Sequence, residues 1–182
     1  MIDMLTDPAA LGELFATMLR LSVPLVFAAL GGVFSERAGV VNISLEGSMI
    51  LGAFGAAWGA IAGGSAGWGV VTGALAGGML GAAFGIATIY AGANQIVAGI
   101  GANLAGLGLA AFLHRLTASG RAAENRVPGF GDVTIPGLAD IPVIGKALFS
   151  TDPMTWAAIL AVPLAALILA RTGIGLRLKA VG

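Results

Sequence analysis

The segment from residue 36 to residue 47, ERAGVVNISLEG, concentrates chemically active side chains within an otherwise apolar part of the chain. Glu36 and Glu46 supply carboxylates, Arg37 supplies a guanidinium and Asn42 supplies an amide. Together these groups could accept and donate several hydrogen bonds to a polar ligand. They could equally be solvated at the end of a helix, so the elements that carry them have to be identified first.

A second candidate is the run GGSAG at residues 63 to 67, which matches the GxSxG pattern of serine hydrolases. Its nucleophile would be Ser65, and His114 is the only histidine that could act as a base. The pattern requires a strand-to-helix turn, whereas here it joins two apolar segments. We interpret Ser65 as part of a small-residue turn and predict that the chain has no catalytic residue and is not an enzyme.

Cofactor signatures are also missing from the sequence. Gly145 and Lys146 are followed by Ala147 and lack the earlier glycine of a phosphate-binding loop, and no recognisable metal-ligand spacing occurs. We therefore expect no metal site and no cofactor on this chain. The net charge is zero and the sequence has no basic cluster, so it does not predict nucleic-acid binding.

The amino-acid composition indicates whether most of the chain lies in water or in lipid. Of 182 residues, 58% are hydrophobic and only 10% are charged, against about 25% charged in soluble domains. The mean hydropathy is +0.97, and no charged side chain occurs between Glu46 and Arg115. Because about 20 apolar residues suffice to cross a bilayer, the sequence indicates an integral membrane protein.

The apolar runs predict an all-α, polytopic transmembrane helix bundle of about five spans, with a broken helix near residues 38–46. The predicted spans cover about residues 8–34, 46–64, 68–92, 96–113 and 153–170, and the polar residues 114–152 form an extramembrane connection. The last span is followed by Arg171, Arg177 and Lys179 without any acid, which places this tail in the cytoplasm and the N-terminus outside. The inverted topology stays open because the connection also carries basic residues.

The third span contains glycines at every fourth position, and the spacing continues a shorter series in the second span. In lipid, glycine stripes allow two helix backbones to approach closely. We therefore predict that the following glycines pack against a neighbouring helix: Gly69, Gly73, Gly77, Gly81 and Gly85.

The break before the second span contains β-branched residues after Gly39, which disfavour continuation of a helix. Ser44 is predicted as the N-cap of the next helix, with Glu46 in its first turn, where the helix dipole favours a carboxylate. Two interpretations stay open. The broken backbone lines an aqueous pathway, as in transporters, or it is an ordinary cytoplasmic turn.

The fourth span begins with Asn94 and Gln95 and contains Asn103. The last two residues fall within about 80° of each other around a helix. Because an amide in lipid needs a hydrogen-bond partner, we favour interhelical hydrogen bonding over ligand contact for these side chains.

Four blocks of the sequence resemble permease subunits of bacterial ABC importers. They are LGGVFSERAGVVNISLEG (30–47), ANQIVAGIGANLAGLGL (93–109), IPVIGKALF (141–149) and RTGIGLRLKAVG (171–182). The resemblance is to the simple-sugar and branched-chain amino-acid permease family, and within it to the purine-nucleoside branch.

This resemblance implies a nucleoside permease subunit in the bacterial cytoplasmic (inner) membrane. It implies a second permease subunit, a cytoplasmic ATPase subunit that uses the ATP, and an extracytoplasmic substrate-binding lipoprotein. Matching of motifs places six residues near the substrate pathway, namely Asn42, Ser44, Glu46, Asn94, Gln95 and Asn103. It places Arg177 and Lys179 on the side that couples to the ATPase.

We expect residues 1–182 to form a single transmembrane permease domain. Members of the family usually continue beyond the block that ends at Gly182, so the resemblance implies a C-terminally incomplete sequence. Two alternative functions remain: a simple-sugar ABC permease, or a membrane protein without transport activity that acts as a glycine-stripe scaffold or passive channel.

Overall fold

The computed structural model describes residues 8–118, 127–134, 137 and 144–182. A π-helical turn, Ile86–Tyr90, extends the third helix, and two short strands accompany the helices: β1 (Val133–Thr134) and β2 (Ser150–Thr151). The helices are α1 (Pro8–Arg37), α2 (Leu45–Gly63), α3 (Ala66–Gly85), α4 (Gln95–Ala118), α5 (Ile144–Phe149), α6 (Pro153–Arg171) and α7 (Gly173–Val181). Within the described residues, α1, α2, α3 with its π-helical turn, α4 and α6 are long and apolar enough to cross a membrane. The predicted all-α bundle with five spans is therefore confirmed.

The break between α1 and α2 is slightly shorter than the predicted 38–46, because α1 ends at Arg37 and α2 already begins at Leu45. Gly39 explains where α1 stops. Its φ of 77° is left-handed, and its N–H donates to Glu36 O at 3.0 Å while Val40 N–H donates to Ser35 O at 3.0 Å. This pair of bonds is the Schellman arrangement, which satisfies the last carbonyl groups of a helix and favours glycine at the left-handed position.

Large apolar side chains cover the outer surfaces of the long helices. The exposed fraction is 72% for Leu21, 70% for Met79 and 67% for Leu104. Exposure of so many long aliphatic side chains is unusual in a water-soluble monomer, and contact with hydrocarbon accounts for it. The helices therefore belong to a multi-pass membrane protein.

Two compact units make up the chain, and each is described by itself. The first contains Met1–Gly31 and Phe130–Ala180, and the second contains Gly32–Gly129 with Val181–Gly182. In the second unit α2 packs against both α3 and α4. Leu51, Leu80 and Ala110, one residue from each of these helices, form its buried apolar cluster.

Glycines bring α2 and α3 into close contact. A Cβ added at Gly73 would lie 2.9 Å from the Cβ of Ala56 and 3.0 Å from Gly52 O, and one at Gly77 would lie 2.8 Å from Ser48 O. Gly69 is equally tight, since its added Cβ would lie 2.8 Å from Ala56 O. The structure thus places three of the five predicted packing glycines against α2, where backbone meets backbone.

The remaining two glycines of the stripe lie in open space. A Cβ at Gly81 or Gly85 would meet no atom within 4 Å in the described part of the chain. Their role in helix packing stays a prediction, which would require a neighbour outside these residues.

The first unit contains a two-stranded antiparallel ribbon that the sequence did not predict. Val133 pairs with Thr151 and Thr134 pairs with Ser150. Asp132 precedes β1, and its carboxylate accepts a hydrogen bond of 2.7 Å from the guanidinium of Arg20 on α1. The loop and α1 are thereby tied together at one point.

Candidate functional site

The break between α1 and α2 is ordered by its own polar side chains. The Asn42 carboxamide oxygen accepts from Ser44 N–H at 3.0 Å and from the Ser44 hydroxyl at 2.7 Å, so the segment folds into an Asx turn. Ser44 is fully buried. It occupies the N-cap position of α2, but its side chain makes no capping hydrogen bond. The predicted N-cap position of Ser44 is therefore confirmed, but its hydroxyl donates to Asn42 and does not accept a hydrogen bond from the helix.

Asn103 on α4 performs the capping of α2 instead. Its side-chain oxygen accepts from Gly47 N–H at 2.7 Å, and its side-chain nitrogen donates to Ile43 O at 2.9 Å. Gly47 is the third residue of α2, and its N–H is one of the four that a helix start leaves unpaired. One amide from a neighbouring helix thus bonds to backbone groups on both sides of Ser44.

The start of α4 makes a second contact with the break. The Gln95 side-chain oxygen accepts from Val41 N–H at 2.9 Å. Asn94 serves α4 itself, since its side-chain oxygen accepts from Ile96 N–H at 3.0 Å and Val97 N–H at 3.2 Å. These bonds agree with the interhelical interpretation of Gln95 and Asn103 and identify Asn94 as an N-cap.

Small residues that the sequence analysis passed over allow this contact. A Cβ at Gly47 would lie 2.7 Å from the Cα of Asn103, one at Gly106 would lie 2.5 Å from Gly47 O, and one at Gly99 would lie 2.6 Å from the Cβ of Ile43. The signal was present in the sequence, because Gly99, Asn103 and Gly106 recur at the four- and three-residue steps that define one helix face. The face was not recognised because it combines two glycines with a polar amide.

Glu46 differs from its polar neighbours. Its side chain is exposed in the first turn of α2, and it has no hydrogen-bond or ion-pair partner among the residues that the structure describes. The carboxylate lies where the positive end of the helix dipole stabilises negative charge. The arrangement therefore consists of a bonded frame, made by Asn42, Ser44, Gln95 and Asn103, and one carboxylate that is available to a ligand. Whether the frame lines a substrate pathway stays a prediction.

The GxSxG run lacks the setting of a hydrolase. α2 ends at Gly63, Gly64 is left-handed with a φ of 66°, and α3 starts at Ala66. Ser65 therefore lies in a helix-to-helix turn. In the described part of the chain no hydrogen bond joins it to His114.

The two basic residues assigned to the ATPase-coupling side lie on α7. Arg177 and Lys179 are exposed, and neither forms an ion pair within the ranges described. α7 follows α6 after the single residue Thr172, so the sequence does not indicate it as a separate helix.

The fold and this site define a class of protein: a membrane helix bundle in which the polar break between two spans is hydrogen-bonded to a third span. Residues 14–182 match the family model described as the permease component of the branched-chain amino acid transport system. The chain belongs to this family of permease components. No solved structure matches the chain.

Curated relatives include two permeases named for nucleosides. The chain is 42% identical over 174 residues to the guanosine ABC transporter permease protein NupQ of Bacillus subtilis, which covers 88% of this chain and 53% of the relative. It is 37% identical over 175 residues to the nucleoside ABC transporter permease protein NupC of Lactococcus lactis, which covers 92% of this chain and 55% of the relative.

A third relative is named for a different solute. The putative glucose ABC transporter permease protein TsgC13 of Haloferax volcanii is 35% identical over 177 residues, covering 95% of this chain and 52% of the relative. The chain thus spans about half the length of the curated relatives it matches.

Proposed function

We propose that the chain is part of the membrane-spanning permease of an ATP-driven nucleoside importer. The observation that carries this proposal is the similarity to the guanosine and nucleoside permeases, at 42% and 37% identity over most of the chain. The break between α1 and α2 supports it, since transporters form their solute sites at interrupted helices whose N-termini face the solute. The importer would reside in the bacterial cytoplasmic membrane.

The other components of the importer would lie on separate chains. A second permease subunit would complete the pathway, a cytoplasmic ATPase would hydrolyse ATP, and an extracytoplasmic lipoprotein would deliver the nucleoside. Transport would require no covalent chemistry and no cofactor on this chain. Differential binding of the solute to outward- and inward-facing states would supply direction when coupled to ATP hydrolysis.

Within this scheme we assign different tasks to the polar residues. Gln95, Asn103, Asn42 and Ser44 would hold the break in shape, because their hydrogen bonds already engage its backbone and each other. Asn94 would fix the start of α4. Glu46 would meet the solute, because an exposed carboxylate can accept hydrogen bonds from the hydroxyl and ring N–H groups of a nucleoside.

Uptake of labelled guanosine tests the proposal, with the full-length permease and its partner subunits expressed in cells that lack nucleoside import. We expect uptake, and we expect Glu46→Gln to lower it about tenfold or more, the effect of losing one hydrogen bond to a charged group. Glu36→Gln is the matched control, because Glu36 is also an exposed carboxylate next to the break. It should transport normally.

Glucose is the competing solute, favoured by the similarity to the Haloferax permease. Glucose uptake without guanosine uptake would replace the nucleoside assignment. Normal guanosine uptake by Glu46→Gln would remove Glu46 from the pathway while leaving the nucleoside assignment intact.

A further inference from the structure

A groove in the first unit runs between α1 and α6. Its volume is about 130 Å³, and its walls are formed by every third or fourth residue from Leu19 to Val26 on α1 and from Thr155 to Val162 on α6. Each wall is thus one face of a helix and extends over about 10 Å, at about 1.5 Å per residue. The hydroxyl of Ser22, on the α1 wall, already donates to Leu19 O at 2.8 Å. The space between the walls is therefore apolar.

One end of the groove lies beside three charged residues. The Asp152 carboxylate accepts from Thr155 N–H at 2.9 Å and from the Thr155 hydroxyl at 3.3 Å, so it adjoins the first residue of the α6 wall. Arg20 directly follows the first residue of the α1 wall. Its guanidinium donates to Asp132 at 2.7 Å, and its Nε lies 3.9 Å from the Asp152 carboxylate. The two walls thus begin at the same polar cluster.

This polar end of the groove lies at the surface of the bilayer. α6 has 19 residues, which at about 1.5 Å per residue nearly equals the thickness of a hydrocarbon core of about 30 Å. The first turn of α6 must therefore lie near one surface. Trp156 in that turn agrees with this depth, because tryptophan is enriched at membrane interfaces. The groove starts at the level of the lipid headgroups and descends into the hydrocarbon.

The size of the groove restricts what can occupy it. An α-helix with its side chains is about 10–12 Å across, which is too thick to enter. An apolar cavity of about 150 Å³ holds benzene, so a groove of about 130 Å³ has room for a comparable length of acyl chain. A phospholipid has the same order of groups as the groove, with a charged headgroup above an apolar chain.

The charges at the polar end favour one kind of headgroup. Two carboxylates, of Asp132 and Asp152, face the single guanidinium of Arg20, so the cluster favours an added ammonium group. The Arg20 and Asp132 side chains are partly exposed. Arginine has five N–H donors, and its bond to Asp132 leaves others for a phosphate.

We propose that this groove binds phosphatidylethanolamine. Its acyl chain would lie between α1 and α6, its ammonium group would donate to Asp132, and its phosphate would accept from Arg20. Phosphatidylcholine has the same phosphate but no N–H donor, so it would bind less well. The proposal does not depend on which solute the permease carries.

The test uses the full-length permease reconstituted in phosphatidylcholine vesicles that contain a trace of photoreactive lipid. The probe is phosphatidylethanolamine or phosphatidylcholine with a diazirine on the acyl chain, and mass spectrometry locates the adducts. We expect the phosphatidylethanolamine probe to label the α6 wall about threefold more than the phosphatidylcholine probe, within the range of one exposed ion pair. α4 is the internal reference, because its exposed Leu104 and Leu107 should react equally with both probes.

Substitutions separate the acyl chain from the headgroup. Val162→Phe should fill the groove and lower labelling of the α6 wall by both probes. Leu164→Phe is the matched control, because Leu164 is also exposed on α6 but does not line the groove. Asp132→Asn should abolish the preference for phosphatidylethanolamine while adducts on the α6 wall persist. Glu36→Gln, which changes an exposed carboxylate of the second unit, should keep the preference.

Three outcomes would overturn the proposal. Equal labelling of the α6 wall by the two probes would mean that the headgroup is not recognised. Labelling that is unchanged by Val162→Phe would mean that no acyl chain lies in the groove. Adducts that disappear when the second permease subunit is assembled would assign the groove to a side chain of a partner span. None of these results bears on nucleoside uptake, which is measured independently.

Discussion

The side-chain oxygen of Asn103 accepts a hydrogen bond of 2.7 Å from the backbone N–H of Gly47, so α4 caps the N-terminus of α2. Side-chain capping is usually local, from the residue just before the helix. Here the local candidate, Ser44, bonds to Asn42 instead. The start of α2 therefore depends on the position of another span.

Replacement of Asn103 by leucine should destabilise the second unit. It would leave Gly47 N–H and Ile43 O without the partners that they have now, and an unpaired buried group costs about 1–3 kcal/mol. Denaturant unfolding of the full-length protein in detergent measures the loss. Asn94→Ala is the control, because it removes only a local cap worth about 1 kcal/mol.

Uptake measurements on Asn103→Leu and Asn94→Ala show whether Asn103 supports the shape of the break or contacts the solute directly. If Asn103→Leu unfolds at the wild-type denaturant concentration but fails to transport, Asn103 contacts the solute and the framing role is wrong. If stability and uptake fall together, the amide acts through the shape of the break.

Two serines near the start of α2 should respond oppositely to alanine. The Ser48 hydroxyl is buried without a hydrogen-bond partner in the described residues, so Ser48→Ala removes an unsatisfied group and should leave stability equal or higher. Ser44→Ala removes the 2.7 Å bond to Asn42 and should lower stability by about 1 kcal/mol. Thermal unfolding compares them directly. Loss of uptake in a stable Ser48→Ala variant would instead indicate that a ligand or water uses this hydroxyl.

Much of the fold follows from the sequence, since hydrophobic runs and the absence of charge between Glu46 and Arg115 are local signals. The break was also local, because Gly39 and the β-branched residues after it oppose a helix. The residues that contact the break are not a local signal. Gln95 lies 54 positions from Val41 and Asn103 lies 60 positions from Ile43, and spacing within one span does not reveal which neighbour it will face.

The same limit explains the glycine stripe. The four-residue period correctly marked one face of α3, but a single span cannot indicate where its neighbour crosses. A Cβ at Gly73 would meet α2, whereas a Cβ at Gly81 would meet no atom within 4 Å in the described residues. The ribbon β1–β2 and the bond between Arg20 and Asp132 were missed for a related reason, because both join parts of the chain that are distant in sequence.

Gly73→Ala and Gly81→Ala test the stripe as a matched pair. The first should destabilise the protein by about 1–3 kcal/mol, because its Cβ would lie 2.9 Å from that of Ala56 and overpacking of a tight contact costs this much. The second should be neutral or stabilising by up to about 1 kcal/mol, since alanine favours helix over glycine. Unfolding in detergent measures both. A destabilised Gly81→Ala monomer would contradict the open space seen beside Gly81.

Substitution of Arg20 measures how much its ion pair with Asp132 stabilises the contact between the extramembrane loop and α1. Its guanidinium lies 2.7 Å from Asp132 and 3.9 Å from Asp152, and the Arg20 and Asp132 side chains are 40% and 48% exposed. Solvent and salt screen a pair with this exposure, so the coupling between Arg20→Gln and Asp132→Asn should be about 0.2–1 kcal/mol and should shrink as salt is added. A double-mutant cycle of unfolding free energies, measured at low and high salt, gives this value.

Asp152 serves as the reference within the same experiment. Its carboxylate also accepts from Thr155 N–H at 2.9 Å and caps α6, so Asp152→Ala, which removes the cap, should cost more than Asp132→Ala and keep most of its effect in high salt. The difference follows from the two kinds of bond, since a capping hydrogen bond to backbone survives screening and an exposed ion pair does not. Equal salt sensitivity of the two variants would show that the capping bond contributes little to stability.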